Sequence, residues 1–170
     1  MRKLKKEVWG VDVDGVMAGF PYYDFCKRIK LDYFVVYCFY RLPLMNHLFY
    51  WLLRVNQRMV ELLRRIDECG HKIVIITGHN LKNEKLLRTF LGRNKVPFHE
   101  LYLIDLVCPD DQYYFRFKLD AIRKSGCNVY IDDREDVVRF LEEHLNGNCR
   151  IIHYRYGEDH RLLERLLFFP

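Results

Sequence analysis

Short, unbroken apolar runs alternate along this chain with stretches in which apolar positions recur every three or four residues. Val8–Val13, Ile73–Ile76, Leu101–Val107, Val129–Ile131 and Arg150–Tyr154 are the runs, and each reads as a buried strand. Met59, Leu62, Leu63 and Ile66 fall at i, i+3, i+4 and i+7, a helix stripe that Gly70 ends. Leu86, Leu87, Phe90 and Leu91 predict a helix stopping near Gly92. Phe117–Ser125 reads as a short helix closed by Gly126. Val137, Val138, Leu141 and Leu145 mark another, ended by Asn146-Gly147, and Asp159–Phe168 reads as the last. Strand and helix thus alternate throughout. That order predicts an α/β fold with a parallel sheet covered by helices on both faces. Ligands of such sheets bind beyond the carboxyl ends of the strands, so polar residues there are the first candidates for function.

One segment breaks the rhythm. A direct crossover needs only about a dozen residues including its helix, yet Gly19 to Arg58 is several times longer and dense in aromatics, from Phe20, Tyr22 and Tyr23 to Phe49, Tyr50 and Trp51. We read 1–170 as one domain with residues 19–58 as a small, mostly helical insert. Three roles are open to it: a cap over the site, a dimer surface, or a membrane-surface contact. Leu31–Leu53 is long enough to span a bilayer, but it holds Asp32, Arg41, Pro43, Asn46 and His47. Those residues argue against a stable span. Lys27, Arg28, Lys30 and Arg41 suit an interfacial helix better.

Two sets of acids end strands. Asp12 and Asp14 sit at i and i+2 in Gly10-Val11-Asp12-Val13-Asp14-Gly15-Val16 and therefore share a face. Asp132, Asp133 and Asp136 follow the run Val129–Ile131. Carboxylates packed side by side repel unless a cation lies between them, and together the two sets offer hard oxygen ligands for Mg²⁺. Asp136 also fits as an acid in a helix's first turn. Thr77 closes the run Ile73–Ile76 ahead of Gly78, where a hydroxyl, free N–H groups and a helix start can hold phosphate oxygens. Lys118 is read as opening a helix upstream of the fourth strand. His79 follows the Thr-Gly pair, where contact with a substrate is open to it, but reads first as a surface histidine; Asp105, in the third strand, could border the site, although a strand-end acid needs no role. His47, His71, His99, His144, His153 and His160 show no ligand spacing.

Composition adds limits. Half of the 170 residues are hydrophobic, enough for a real core, and the net charge of +5 is a mild excess spread along the chain. The six cysteines show no zinc-binding spacing, and the first apolar run is cut by Asp12 and Asp14. A cytoplasmic protein with reduced thiols and no signal peptide is the expectation.

In order, Asp12-Val13-Asp14-Gly15-Val16, the apolar run ending in Thr77, Lys118, and the apolar run ending in Asp132-Asp133 resemble the four motifs of the haloacid dehalogenase (HAD) superfamily. The resemblance spans Val8 to about Tyr154 apart from the insert, and its first and fourth motifs are the most specific. It implies a Rossmann-like sheet of five parallel strands in the order 3-2-1-4-5, bringing Asp12 beside Asp132. It further implies Asp12 as nucleophile and Asp14 as general acid and base. Thr77, Gly78 and Lys118 would bind the phosphoryl group. Mg²⁺ would lie between Asp12, the Asp14 carbonyl and Asp132, with Asp133 or Asp136 in support. The acid at position 14 resembles phosphatases and phosphomutases. A closer likeness, in Ile131-Asp132-Asp133-Arg134, Val137-Val138 and Phe117-Lys118-Leu119-Asp120, is to polynucleotide kinase-phosphatase phosphatase domains and deoxyribonucleotidases. The expectation is a Mg²⁺-dependent phosphomonoesterase acting on a phosphorylated small molecule or a nucleic-acid end. A phosphotransferase and a non-catalytic scaffold on the same fold are the rivals.

Overall fold

The computed structural model describes residues 6–19, 43–105 and 110–155, with side chains at 43–45 excepted. Most of the insert, the end of the third predicted strand and the predicted helix Asp159–Phe168 lie outside the described residues.

In chain order the elements are β1 (Val8–Val11), β2 (Ala18–Gly19), α1 (Pro43–Leu52), β3 (Arg54–Val55), α2 (Gln57–Glu68), β4 (Lys72–Asn80), a 3-10 turn (Leu81–Asn83), α3 (Glu84–Arg93), β5 (Glu100–Ile104), α4 (Asp111–Ser125), β6 (Val129–Asp132), α5 (Glu135–Leu145) and β7 (Arg150–His153). Five of the strands form one parallel sheet in the order β5-β4-β1-β6-β7. This is the order 3-2-1-4-5 expected from the motifs. Val11 lies level with Ile75 on one side and Ile131 on the other.

Alternation of side chains sorts the core into two layers. Trp9 and Val11 of β1, Ile73 and Ile75 of β4, and Val129 and Ile131 of β6 pack with Met59, Leu63 and Ile66 of α2 and Leu87, Phe90 and Leu91 of α3. Val74, Ile76 and Tyr130 point the other way, onto Leu119 and Ile122 of α4 and Val137 and Leu141 of α5. Each such aliphatic side chain, fully buried, contributes roughly 1.5–3 kcal/mol.

Two local expectations need correction. First, α4 begins at Asp111, not at Phe117, because the Asp110 carboxylate caps it by accepting from Tyr113 N. Its first turns carry partly buried Tyr114 and Phe115 rather than an apolar stripe, so periodicity missed them. Lys118 therefore sits in mid-helix. Second, β4 runs on through Thr77 and Gly78 to Asn80, with a register shift between Thr77 and Asn80, so no helix starts at the Thr-Gly pair. The helix expected to stop near Gly92 is α3, which ends at Arg93.

The described ends of the insert fold back onto this frame. β2 and β3 pair antiparallel, and α1 touches the 3-10 turn through Asn83 Nδ2, which donates to Asn46 Oδ1 at 3.4 Å, and α3 through Arg93, which donates to the Tyr50 carbonyl at 3.4 Å. Among the described residues no helix is long and apolar enough to cross a membrane. Asn56, only 8% exposed, joins three parts of the chain. Its Oδ1 caps α2, while its Nδ2 donates to the Val16 carbonyl at 3.1 Å and to the Tyr154 hydroxyl at 2.8 Å. Asn56→Ala removes a cap and two buried hydrogen bonds. Urea unfolding should show a loss of about 2–4 kcal/mol, and a loss within experimental error would mean that the hub carries no stability.

Candidate active site

Val11 and Val13 point into the layer beneath α2 and α3, so the side chain between them, Asp12, points to the α4 side. Tyr130 and Asp132 share a face for the same reason. Lys118 reaches the same spot from α4. Its ammonium donates to the Ile76 carbonyl at 2.9 Å, the Tyr130 hydroxyl at 2.7 Å and Asp132 Oδ2 at 3.1 Å, and lies 3.0 Å from Asp12 Oδ1. The residue is completely buried. Burial alone would drive the ammonium to neutrality, but Asp12 and Asp132 hold its pKa above the ordinary lysine range. Isolated, such a charge would cost several kcal/mol. Two carboxylates and two further acceptors offset that cost.

The remaining lone pairs of both acids are partly committed. Asp12 Oδ1 accepts from Val13 N at 2.8 Å. Asp132 Oδ1 accepts from Arg134 N at 3.0 Å, and Tyr130 donates to Asp132 Oδ2 at 2.9 Å. Asp133 follows, and one ligand oxygen each from Asp12, Asp132 and Asp133 lies within 4.8 Å of the others. One ammonium leaves this set with net negative charge. Burial accordingly pushes the Asp12 carboxyl up to about 6, against the pull of Lys118. Burial, together with Asp12, Asp132 and Asp14, pushes Asp133 to about 7. Three hard oxygen donors with excess negative charge fit a divalent cation such as Mg²⁺. Gly15 makes room for them. It has φ of +71°, and a Cβ there would stand 2.0 Å from Asp133 Oδ2.

Asp136 does not join the cluster. Arg134 donates to it through Nε at 3.1 Å and a terminal nitrogen at 2.5 Å, and also pairs with Asp111 at 3.0 Å. The acids that converge are the adjacent pair Asp132 and Asp133. Thr77 is fully buried, and its hydroxyl has no hydrogen-bond partner among the described residues. Gly78 passes beneath Tyr114, where a Cβ would stand 2.6 Å from the ring. That ring lies 5.3 Å from the Lys118 ammonium and 4.9 Å from the Arg134 guanidinium. Asp105 accepts from the Tyr113 hydroxyl at 2.6 Å.

His79 is the largest departure from the sequence reading. It is 2% exposed rather than a surface residue. Its Nε2 lies 3.1 Å from Asp14 Oδ2, and its Nδ1 shares a 2.6 Å hydrogen bond with the Tyr50 hydroxyl. His153 was also passed over; its Nε2 lies 3.1 Å from the Asp133 carbonyl and braces that loop from β7. The signal in the sequence is the position of His79 directly after Thr77-Gly78; the structure extends β4 to Asn80 and so puts His79 in a strand at the site. Tyr50 carried no signal.

Solved structures share this architecture. The chain is similar to one in the structure of a Pnkp1/Rnl/Hen1 complex, with TM-score 0.65 and 15% identity over 92% of this chain and 48% of that one. A second structure, of the Pnkp1/Rnl/Hen1 RNA repair complex, gives 0.63 and 16% over 94% and 45%. The chain thus spans about half the length of those two chains. It matches a HAD-superfamily hydrolase from Geobacter sulfurreducens over 95% of this chain and 96% of that one, with TM-score 0.60 and 13% identity. No protein-family model matches the sequence, and no curated protein is similar enough to match. At such identities the likeness carries the fold: the chain has the Rossmann-like α/β fold of HAD hydrolases.

The acid cluster gives a prediction. Carboxyls raised above the ordinary value keep extra protons in the folded state, so the cation-free fold loses stability as pH rises from about 4 through 7. A divalent cation held by these carboxylates would replace those protons. Thermal unfolding should therefore show a larger rise in Tm on adding Mg²⁺ at about pH 7.5 than at about pH 5. Asp133→Asn should raise the Tm in EDTA at the higher pH, by roughly 2–5 °C, and shrink the Mg²⁺ effect. An Asp133→Asn protein less stable in EDTA, with an undiminished Mg²⁺ shift, would contradict this reading of the cluster.

Proposed function

We propose that this protein is a Mg²⁺-dependent phosphomonoesterase with Asp12 as its nucleophile. The observation that carries the reading is the buried ammonium of Lys118 held between Asp12 and Asp132. A structural salt bridge needs one carboxylate; two acids converging on a buried lysine, with a third acid beside them, make a charge pattern suited to a phosphate and a cation.

The roles follow from this chain's own groups. An Asp12 carboxylate oxygen attacks phosphorus and the bond to the substrate oxygen breaks. Asp14 gives that oxygen a proton, without which an alkoxide is a poor leaving group. The Asp12 acyl phosphate is then attacked by water, Asp14 takes a proton from it, and phosphate leaves with the Asp12 carboxylate restored. Lys118 and the Thr77 hydroxyl, which has no partner among the described residues, stabilise the phosphoryl oxygens with the backbone at Gly78. Asp12, Asp132, Asp133 and the Asp14 carbonyl would hold Mg²⁺, which supplies charge neutralisation for the transferring group. The insert serves as a cap, a reading supported by the return of α1 and Tyr50 to His79.

The preferred substrate is a nucleotide or a nucleic-acid phosphate end. Support comes from the basic balance of the chain, the aromatic insert and the likeness to chains of an RNA repair complex. A cytoplasmic setting agrees with the free thiols of Cys69, Cys127 and Cys149. Asp12→Asn should fold and lose at least about a thousandfold in kcat; undiminished turnover would end the proposal. Rates on a 3′-phosphorylated oligonucleotide and a deoxynucleoside monophosphate should exceed that on a hexose phosphate. The reverse order by a large factor would reject the nucleotide preference and leave the chemistry standing.

A further inference from the structure

His79 lies where the insert, the first acid pair and the Thr77 strand meet. Behind the imidazole, the Tyr50 hydroxyl of α1 shares a hydrogen bond of 2.6 Å with Nδ1. The rings of Phe49 and Tyr50 pack around it, with centroids 6.2 and 5.3 Å away. In front, Nε2 is buried and has no aligned hydrogen-bond acceptor among the described residues, while Asp14 Oδ2 lies 3.1 Å from it. Asp14 is the opposite kind of side chain: 54% of it is exposed. Left alone, an exposed aspartate samples its staggered rotamers on a picosecond to nanosecond scale. A buried ring held from behind, with one unsatisfied nitrogen turned outward, selects one of those positions. Proton transfer depends steeply on such placement, because donor and acceptor must come within hydrogen-bond reach.

We propose that His79 is the positioning residue for Asp14, and that Tyr50 fixes His79, so that the insert helix sets the geometry of proton transfer to the leaving oxygen. This rests on the phosphomonoesterase reading, in which Asp14 carries that proton. The balance of the reaction is unchanged: Asp14 gives its proton as the P–O bond breaks and later recovers one from water, and His79 keeps its own. The arrangement makes proton transfer sensitive to α1, since displacing α1 withdraws Tyr50 from His79 and frees Asp14.

The test is a series of aryl phosphates whose leaving phenols span several pKa units. They are assayed with wild type, His79→Ala, His79→Gln and Tyr50→Phe, each also in an Asp14→Asn background. The quantity to read is kcat/KM, which reports the steps up to phosphoryl transfer onto Asp12. His79→Ala should lose tenfold or more on the poorest leaving groups and little on the best, steepening the dependence on leaving-group pKa, with KM nearly constant. Tyr50→Phe should do the same to a smaller extent. His79→Gln, which keeps an N–H near the place of Nε2, should recover part of the loss. In the Asp14→Asn background His79→Ala should add less than twofold, since two residues acting through one group are not additive. A loss equal across the series, or one that multiplies with that of Asp14→Asn, would overturn the positioning role. Tyr50→Phe behaving as wild type would overturn the link to the insert. Should His79→Ala fail to fold, Tyr50→Phe and His79→Gln carry the comparison. Wild type inactive on every ester would instead reject the phosphomonoesterase reading, and this proposal with it.

Discussion

The fold around the site turns on one buried ammonium. Lys118 comes from α4 and bonds to Asp12 at the end of β1, to β4 through the Ile76 carbonyl and to β6 through Tyr130 and Asp132. Three neighbouring strands and a helix are thereby fixed to one point. The arrangement demands much of its surroundings. A charge with no exposure to water needs all its donors satisfied, so Asp12 and Asp132 must be level, which the parallel register of β1 and β6 provides. Removing the ammonium would leave two carboxylates facing each other in the same volume. Stability and the proposed chemistry therefore rest on the same group.

That group also explains the geometry around it. Burial, and the negative charge of Asp12 and Asp132 that Lys118 balances only in part, push the neighbouring Asp133 carboxyl up to about 7. The turn after β1 has glycine at position 15, where any side chain would strike that carboxylate. The Tyr114 ring covers the lysine, and Gly78 has no side chain to obstruct it. Arg134 pulls Asp136 outward to Asp111 and ties the loop after β6 to the start of α4. Of these features, the raised carboxyls are the ones a divalent cation between Asp12, Asp132 and Asp133 would relieve.

Much of this was legible in the sequence, and for identifiable reasons. Strands such as Ile73–Ile76 are fully buried and carry no competing polar positions, so their apolar runs are unambiguous. Asp12 and Asp132 end such runs, and their meeting follows from strand order. What could not be read was long-range and polar. Lys118 is singled out by its place in the order of the four motifs, while its burial and its four partners are not legible there. His79 looked like surface because its partners, Tyr50 and Asp14, are distant in sequence and unrelated by any periodicity. Asn56 ends no pattern, yet joins the turn after β1, the start of α2 and Tyr154. Periodicity reports burial against apolar neighbours; it says nothing of a buried polar group whose partners come from three elements.

The most direct measurement of the central claim is to trap the covalent state. The protein is mixed with an aryl phosphate and Mg²⁺, quenched in acid, reduced with borohydride and mapped by mass spectrometry. An acyl phosphate on a carboxylate is reduced to the alcohol, so the account predicts a homoserine mass at position 12. The same treatment without substrate should leave that position as aspartate. Turnover of the ester with no modification at Asp12, or with the label on another carboxylate, would contradict the account.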